Sequence, residues 1–507
     1  MSPVVADQSL LASYLQRTEY QALHPGAAAY FASLDQIGSV DRTVAARIAQ
    51  ELIDQRSSLK LIASENYSSL AVQLAHGNLL TDKYAEGVPG RRFYAGCDNV
   101  DAIEARAVDL AKELFSAEHA YVQPHSGADA NLVAFAAILA QRIEVDVLHT
   151  LGHKTVAAMT DAQWAQLRHK LNDQRLLGMD YYSGGHLTHG YRFNLSARLF
   201  EAHHYTVDRQ TGLLDLAAIR RQLLEVRPLI LLAGYSAYPR AIDFAALRQM
   251  AEDVGAVLMV DMAHFAGLVA GNVFQGDHNP VPFAHVVTST THKTLRGPRG
   301  GLVLAKAEFA EAVDKGCPAV IGGPLPHAMA AKAVALDEAL RPDFAAYAAT
   351  IVANARELAA QFQRSGAVVP TGGTDNHIVL LDVASTWGIT GRQAESALRR
   401  VGLTLNRNSL PFDVNGPWYT SGLRFGTAAV TTLGMGIDEM AEIASIVHGV
   451  LAAVRPTPVS GGGTSRAKFE LDDAVVDAAK ARATDLMKGF PLYPEIDHEL
   501  LSQAAQW

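Results

Sequence analysis

Hydrophobic and polar positions fall into three rhythms along the chain. Up to about residue 60, apolar residues recur at helical spacing in LLASYLQ, YFASLDQI and VDRTVAARIAQELIDQ. In the last of these Val44, Ile48, Leu52 and Ile53 share one predicted face, so residues 1–60 read as a helical arm that docks on another domain or subunit. From 61 to 340 short β-rich runs alternate with helices. PLILLAGYSAY, AVLMVD, HVVTST and GLVLAK predict strands, and FAALRQMAEDVG predicts an amphipathic helix closed by Gly255. This alternation implies an α/β domain with a mainly parallel sheet, whose ligands collect outside the carboxyl ends of the strands. Beyond GGPLPH long helical runs take over, then HIVLLDV, GRQAESALRRVG, TLNRN and TSGLRFGT, which predict a smaller α+β domain over 341–507. Within it PVSGGGTS, about 456–465, reads as a flexible linker before a last helix.

Three local patterns refine this outline. Residues 141–182 read as an insertion that packs locally through Trp164, Leu167 and Leu171. Asp101-x-x-Glu104 reads as a capping signal for a helix burying Ile103, Ala107, Leu110, Ala111 and Leu114. In HAYVQPHSGADANLVAFAAILA a short strand leads through a Ser126-Gly127 turn into a long apolar helix, and free N–H groups at such a start suit an anion.

Composition then narrows the function classes. A chain of 507 residues exceeds one compact core, and 49% hydrophobic with 19% charged residues is ordinary for a globular protein. The net charge of −9 argues against nucleic acid or an anionic membrane as the main partner and favours small molecules. Two cysteines, Cys97 and Cys317, form no disulfide framework, and LVAFAAILA is too short to span a bilayer. A cytoplasmic protein is expected.

Candidate chemistry concentrates where the strands end. One apolar run delivers Asp261 and, three residues on, His264; the next delivers Thr290, His292 and Lys293; Ser236 follows a third. A lysine at a strand end suits Schiff-base chemistry, and a carboxylate on a neighbouring strand suits the pyridinium nitrogen of pyridoxal phosphate; the alternative is a surface lysine after a buried strand. The loop LLTDKYAEGVPGRRFYAG gathers Tyr84, Glu86, Arg91, Arg92 and Tyr94, as either a solvated loop or a substrate loop. Arg424, between two short apolar segments, is a carboxylate clamp if it faces a pocket. SGGHLTHG carries His186 and His189 at HxxH spacing, but no suitable third ligand accompanies them, and no metal is expected.

Taken together, LIASEN, LTDKYAEGVPGRRFY, QPHSG, GGHLTHG, VDMAHFAGLVA, TTHKTLRGPRGG, GGTDNH and TSGLRFGT resemble the serine hydroxymethyltransferase family, block by block and in order, from about residue 40 to 450. The resemblance implies the aspartate-aminotransferase-like fold (fold type I), pyridoxal 5'-phosphate as cofactor and tetrahydrofolate as co-substrate. The implied reaction reversibly converts L-serine and tetrahydrofolate to glycine and 5,10-methylenetetrahydrofolate, through an external aldimine and cleavage of the Cα–Cβ bond. Lys293 would carry the cofactor as an internal aldimine and Asp261 would keep its ring nitrogen protonated. His186 would stack on the ring, Ser236 and His264 would lie near its phenolic oxygen, and Thr290 and His292 would shape the lysine's surroundings. Ser126 and Gly127 would bind the phosphate, joined by Gly323 of a neighbouring subunit. Arg424 and Ser64 would grip the amino-acid carboxylate. Tyr84, Glu86 and Tyr94 would reach across a dimer interface, Glu86 handling protons, while Gly185, Leu187 and Asn408 would contact substrate or pterin. A homodimer or tetramer with shared active sites is therefore expected.

Three departures from the commoner family pattern stand out: SGADAN, where Ala128 and Asp129 are expected to lower phosphate affinity; PAVIGG, with fewer glycines before Gly323; and the long arm and insertion. The rival readings are a folate-independent aldolase of the threonine-aldolase kind, an amino-acid racemase, and a non-enzymatic RNA binder on the same scaffold.

Overall fold

The computed structural model describes residues 9–507. Its centre is a seven-stranded sheet made of β1 (His119–Tyr121), β2 (Arg175–Met179), β3 (Glu201–Tyr205), β4 (Ile230–Gly234), β5 (Val257–Asp261), β6 (Val286–Thr290) and β7 (Gly301–Ala305), in the order β1-β7-β6-β5-β4-β2-β3. The run from β6 through β5, β4 and β2 to β3 is parallel, and β7 pairs antiparallel with both neighbours. Every residue of β4, β5 and β6 is buried. That accounts for their unbroken apolar runs, because helices cover both faces and no side needs polar residues.

A second sheet of β8 (Ile378–Asp382), β9 (Asn406–Asn408) and β10 (Gly422–Gly426) is antiparallel, in the order β8-β10-β9, and carries its own core. The helix Pro342–Arg364 joins the two bodies. Its first half buries Phe344, Ala348 and Ile351 in the central core, and its second half buries Leu358 and Phe362 in the small one. Leu59 and Leu61 also belong to the small core, through parallel pairing of Leu59–Lys60 with Leu403–Thr404. The boundary expected at 60/61 is therefore not a packing boundary.

Four other expectations are corrected. On the helix Arg42–Ser57 the buried face is Ala45, Ala49 and Leu52, while Val44 is 48% and Ile48 39% exposed; small alanines let the neighbouring helices approach. The expected insertion runs too far, since its last part supplies β2, an interior strand; within it Leu167 is buried and Trp164 is 42% exposed. The expected linker is instead the end of a hairpin, with Arg455–Pro458 paired against Thr464–Glu470 and residues 459–463 turning between them. Finally, Asp101 and Glu104 cap nothing: their helix, Asp98–Phe115, begins earlier, and both carboxylates bind Arg92. Residues 1–8 of the expected arm lie outside the described residues. The rest of the arm forms helices packed on the C-terminal segment, with Phe31, Leu34 and Leu52 against Leu492, Leu500 and Leu501. No helix among the described residues is long and apolar enough to cross a membrane.

Candidate active site

Parallel strands aim their carboxyl ends at one place. β5 ends in Asp261, β6 ends in Thr290 just before Lys293, Ser236 follows β4, and His186 lies beyond β2. Lys293 Nζ donates to Thr290 Oγ1 at 3.2 Å, its one protein hydrogen bond among the described residues. Burial pushes this ammonium down to about 8, although Asp261 pulls it upward. A sizeable fraction is therefore neutral amine, the nucleophilic form, at physiological pH. Asn66 fixes the backbone here, donating from Nδ2 to the Lys293 carbonyl at 2.8 Å and to the Tyr347 hydroxyl at 2.7 Å.

Asp261 is held ionised from three sides. Oδ1 accepts the Ala263 N–H at 3.0 Å, and Oδ2 accepts Asn131 Nδ2 at 2.9 Å and faces His189 Nε2 at 3.3 Å. His189 Nδ1 accepts the His186 backbone N–H at 3.3 Å, so its Nε2 carries the proton and donates to the carboxylate. Burial works against ionisation, but the hydrogen bonds of His189 and Asn131 outweigh it and hold the Asp261 carboxyl well below the usual range. Asn131 is itself locked by Thr188 Oγ1 at 2.8 Å and Thr288 Oγ1 at 2.5 Å.

His186, His264 and His292 are neutral imidazoles. Burial takes His186 down to about 4 and His292 to about 3, and drives His264 well below its ordinary value. His186 Nδ1 meets Thr188 Oγ1 at 2.7 Å. His264 stacks on His377, with ring centroids 5.5 Å apart, and His377 Nε2 in turn donates to the Ala63 carbonyl at 3.2 Å, beside Ser64.

Arg424 enters from the small domain. On β10 it pairs in register with Asn406, its Nε donates to Asn406 Oδ1 at 3.0 Å, and its Nη1 donates to the Ser236 carbonyl at 2.6 Å. Burial lowers it only to about 10, so it remains a cation. Gly426 on the same strand donates its N–H to the Leu61 carbonyl, which lays the Ser64 segment alongside. Leu187, next to His186, is 43% exposed. Gly185 donates its N–H to the Asp180 carbonyl, and Asn408 donates to the Ser409 carbonyl at 2.6 Å.

The Ser126-Gly127 turn starts the helix Gly127–Leu139 as expected, with Ser126 as its cap. Its hydroxyl is engaged by Asp129, accepting that residue's N–H at 3.1 Å and donating to its carboxylate at 3.0 Å. A Cβ at Gly127 would lie 2.6 Å from Thr290 Cγ2, so only glycine lets the turn sit against the β6 end.

Tyr84, Glu86, Tyr94 and Gly323 form a second group. The Tyr84 and Tyr94 rings meet edge-on at 4.9 Å, Glu86 lies beside the Tyr94 hydroxyl, and a Cβ on Gly323 would lie 3.2 Å from the Tyr84 ring. Arg92 anchors the loop from below, donating to the Ala85 and Gly87 carbonyls at 2.9 and 2.8 Å while pairing with Asp101 and buried Glu104. Stranding one partner of such a buried pair typically costs about 3–5 kcal/mol, so the loop is not merely solvated. Among the described residues no hydrogen bond, ion pair or ring contact joins this group to the Lys293 group. The two histidines of the HxxH pattern serve Asp261 and Thr188, and no cluster of three or more His, Cys, Asp or Glu suited to a metal ion occurs among the described residues.

Sequence reasoning assigns no role to Asn131, Thr188, Asn66 or His377. Asn66 and His377 stand inside LIASEN and GGTDNH, where a polar residue in an apolar setting is the available signal. Asn131 gives none, because its side-chain partners are 57 or more residues away, and Thr188 gives none for its bond to Asn131, although its other partner, His186, is near in sequence.

The family model for serine hydroxymethyltransferase matches residues 37–170 and 155–447. A serine hydroxymethyltransferase of Treponema pallidum (strain Nichols) is 58% identical over 98% of this chain and 86% of its own length. One of Salinispora tropica is 58% identical over 92% of this chain and 98% of its own, and one of Mycolicibacterium smegmatis is 56% identical over 92% and 94%.

Proposed function

The chain belongs to the serine hydroxymethyltransferase family, whose members depend on pyridoxal phosphate and transfer a one-carbon unit to tetrahydrofolate, and on that premise we propose how its residues divide the work. Its reaction is the reversible conversion of L-serine and tetrahydrofolate to glycine and 5,10-methylenetetrahydrofolate. The residues present fit the cofactor: a buried, partly neutral amine stands beside a carboxylate kept ionised, and buried His125 Nε2 and His292 Nδ1 have no protein partner among the described residues. When bound, pyridoxal phosphate supplies the electron sink for bonds broken at the amino-acid α-carbon.

Lys293 Nζ attaches the cofactor and, near its shifted pKa, releases and recovers a proton during exchange with substrate, with Thr290 and His292 shaping its surroundings. Asp261, its charge secured by His189 and Asn131, would hold the ring nitrogen protonated. Neutral His186 would stack on the ring, and Ser236 and His264 would hold its phenolic oxygen. Ser126 and Gly127 hold the phosphate, with Gly323 of a second copy. Arg424 and Ser64 bind the substrate carboxylate. Glu86 moves the proton of the serine hydroxyl, with Tyr84 and Tyr94 around it, and Gly185, Leu187 and Asn408 border the folate. The protein acts as a cytoplasmic homodimer whose sites are completed across the interface, which the separation of the two residue groups within one chain supports.

The observation that carries these assignments is the buried Lys293 amine, bonded only to Thr290 among the described residues and set beside ionised Asp261. Borohydride treatment of the holoenzyme should bleach its yellow colour and fix a pyridoxyl label on Lys293. Glycine with tetrahydrofolate should then build a long-wavelength band that glycine alone barely gives. A label elsewhere refutes the lysine assignment, and absence of synergy refutes the folate contacts.

A further inference from the structure

The helix Pro326–Ala339 is apolar on nearly every side, yet it buries a lysine at its centre: Lys332 is 2% exposed. Its ammonium donates to three backbone carbonyls, those of Val122 at 2.6 Å, Pro124 at 2.9 Å and Gly301 at 3.0 Å. All three protons are thereby spent on neutral groups, and none reaches a carboxylate. The nearby acids are otherwise engaged, Glu104 with Arg92 and Gln123, and Asp129 with Ser126. A fully buried cation without a counter-charge costs several kcal/mol in general, and structures retain one where a fixed charge is useful.

Its position suggests the use. Val122 and Pro124 lead directly into the Ser126-Gly127 turn, and Gly301, which begins β7, also donates its N–H to the Pro124 carbonyl. The ammonium therefore lies one layer behind the turn and pins the strand end that presents it. We propose that Lys332 is a positioning residue of the phosphate site, fixing the 122–126 segment and supplying from behind a positive charge that offsets Asp129 and a bound phosphate dianion. This rests on the reading of Ser126-Gly127 as the phosphate turn. Its partly neutral state without ligand, burial having lowered it to about 7, is what a cation awaiting its counter-charge would show.

The test compares pyridoxal phosphate with pyridoxal, which lacks the phosphate, as ligands of the apoprotein, using tryptophan fluorescence or equilibrium dialysis. In Lys332→Met the dissociation constant for pyridoxal phosphate should rise roughly ten- to a hundredfold, while that for pyridoxal changes less than about twofold. Lys332→Gln, which keeps two N–H donors for the three carbonyls but no charge, protects the test if Lys332→Met does not fold, and the same selective loss is expected of it. Equal weakening of both ligands, or no weakening, overturns the proposal, since a wall prop would not sense the phosphate. If neither variant folds by circular dichroism, the residue is a structural prop and the proposal falls. If the unsubstituted apoprotein itself binds pyridoxal as tightly as pyridoxal phosphate, the phosphate-turn reading fails instead.

Discussion

The pocket around Lys293 and the loop around Glu86 are built on opposite principles. Lys293, Asp261 and His264 stand at the ends of fully buried strands, with their protonation states set by burial and by inward hydrogen bonds. The loop is anchored just as firmly, through Arg92, yet its aromatic side chains face outward, Tyr84 56%, Phe93 68% and Tyr94 45% exposed, with Glu86 half-buried among them. Exposed aromatics on a rigid loop mark a surface waiting to be covered. On the proposed assignment the pocket holds what generic pyridoxal chemistry needs, whereas the loop holds what would select this reaction and would need a second copy to meet it.

Substitutions should separate the two regions in order of severity. Lys293→Ala should lower serine turnover by about a thousandfold or more and abolish the borohydride label, as judged by initial rates and peptide mass spectrometry. Glu86→Gln should cost roughly a hundred- to a thousandfold in folate-dependent turnover while leaving cofactor absorption unchanged. Loss of cofactor from that variant would erase the distinction between pocket and loop. Arg424→Ala removes a charge-assisted clamp of roughly 1.5 to 3 kcal/mol and should weaken serine binding about ten- to a hundredfold with the label intact; unchanged serine affinity would contradict its role. The gentlest probe is pH. Because burial lowers Lys293 to about 8, the neutral amine gains as pH rises, and labelling of the apoprotein should increase about tenfold between roughly pH 7 and 9 and then level off. A rise continuing toward pH 10.5, the ordinary lysine value, would show an unburied amine.

The pocket is far more legible in the sequence than its supports. Strand ends can be read from apolar runs, so the positions of Asp261, Lys293 and Ser236 along the chain already point to a shared location. Arg424 is ambiguous in the sequence, and only β10 sets it against Asn406 and the Ser236 carbonyl. Local signals mislead where tertiary bonds take the same residues: Asp101 and Glu104 have the spacing of a helix cap, but Arg92 claims both. The glycine-rich stretch that reads as a linker closes a hairpin, since glycines suit a tight turn as well as a flexible tether. Asn131, whose amide reaches Asp261 130 residues away, has no local signature at all.

Mixed dimers test the split between pocket and loop most directly. Lys293→Ala and Glu86→Gln subunits, each inactive alone, are unfolded together, refolded in equal amounts and assayed for folate-dependent serine turnover. If each site takes Lys293 from one copy and Glu86 from the other, half of the dimers are mixed and each has one intact site, so activity should return to about a quarter of the unsubstituted enzyme. If both residues of a site come from the same chain, every mixed dimer pairs two damaged sites, activity stays at the background of the single variants, and the shared-site account is contradicted.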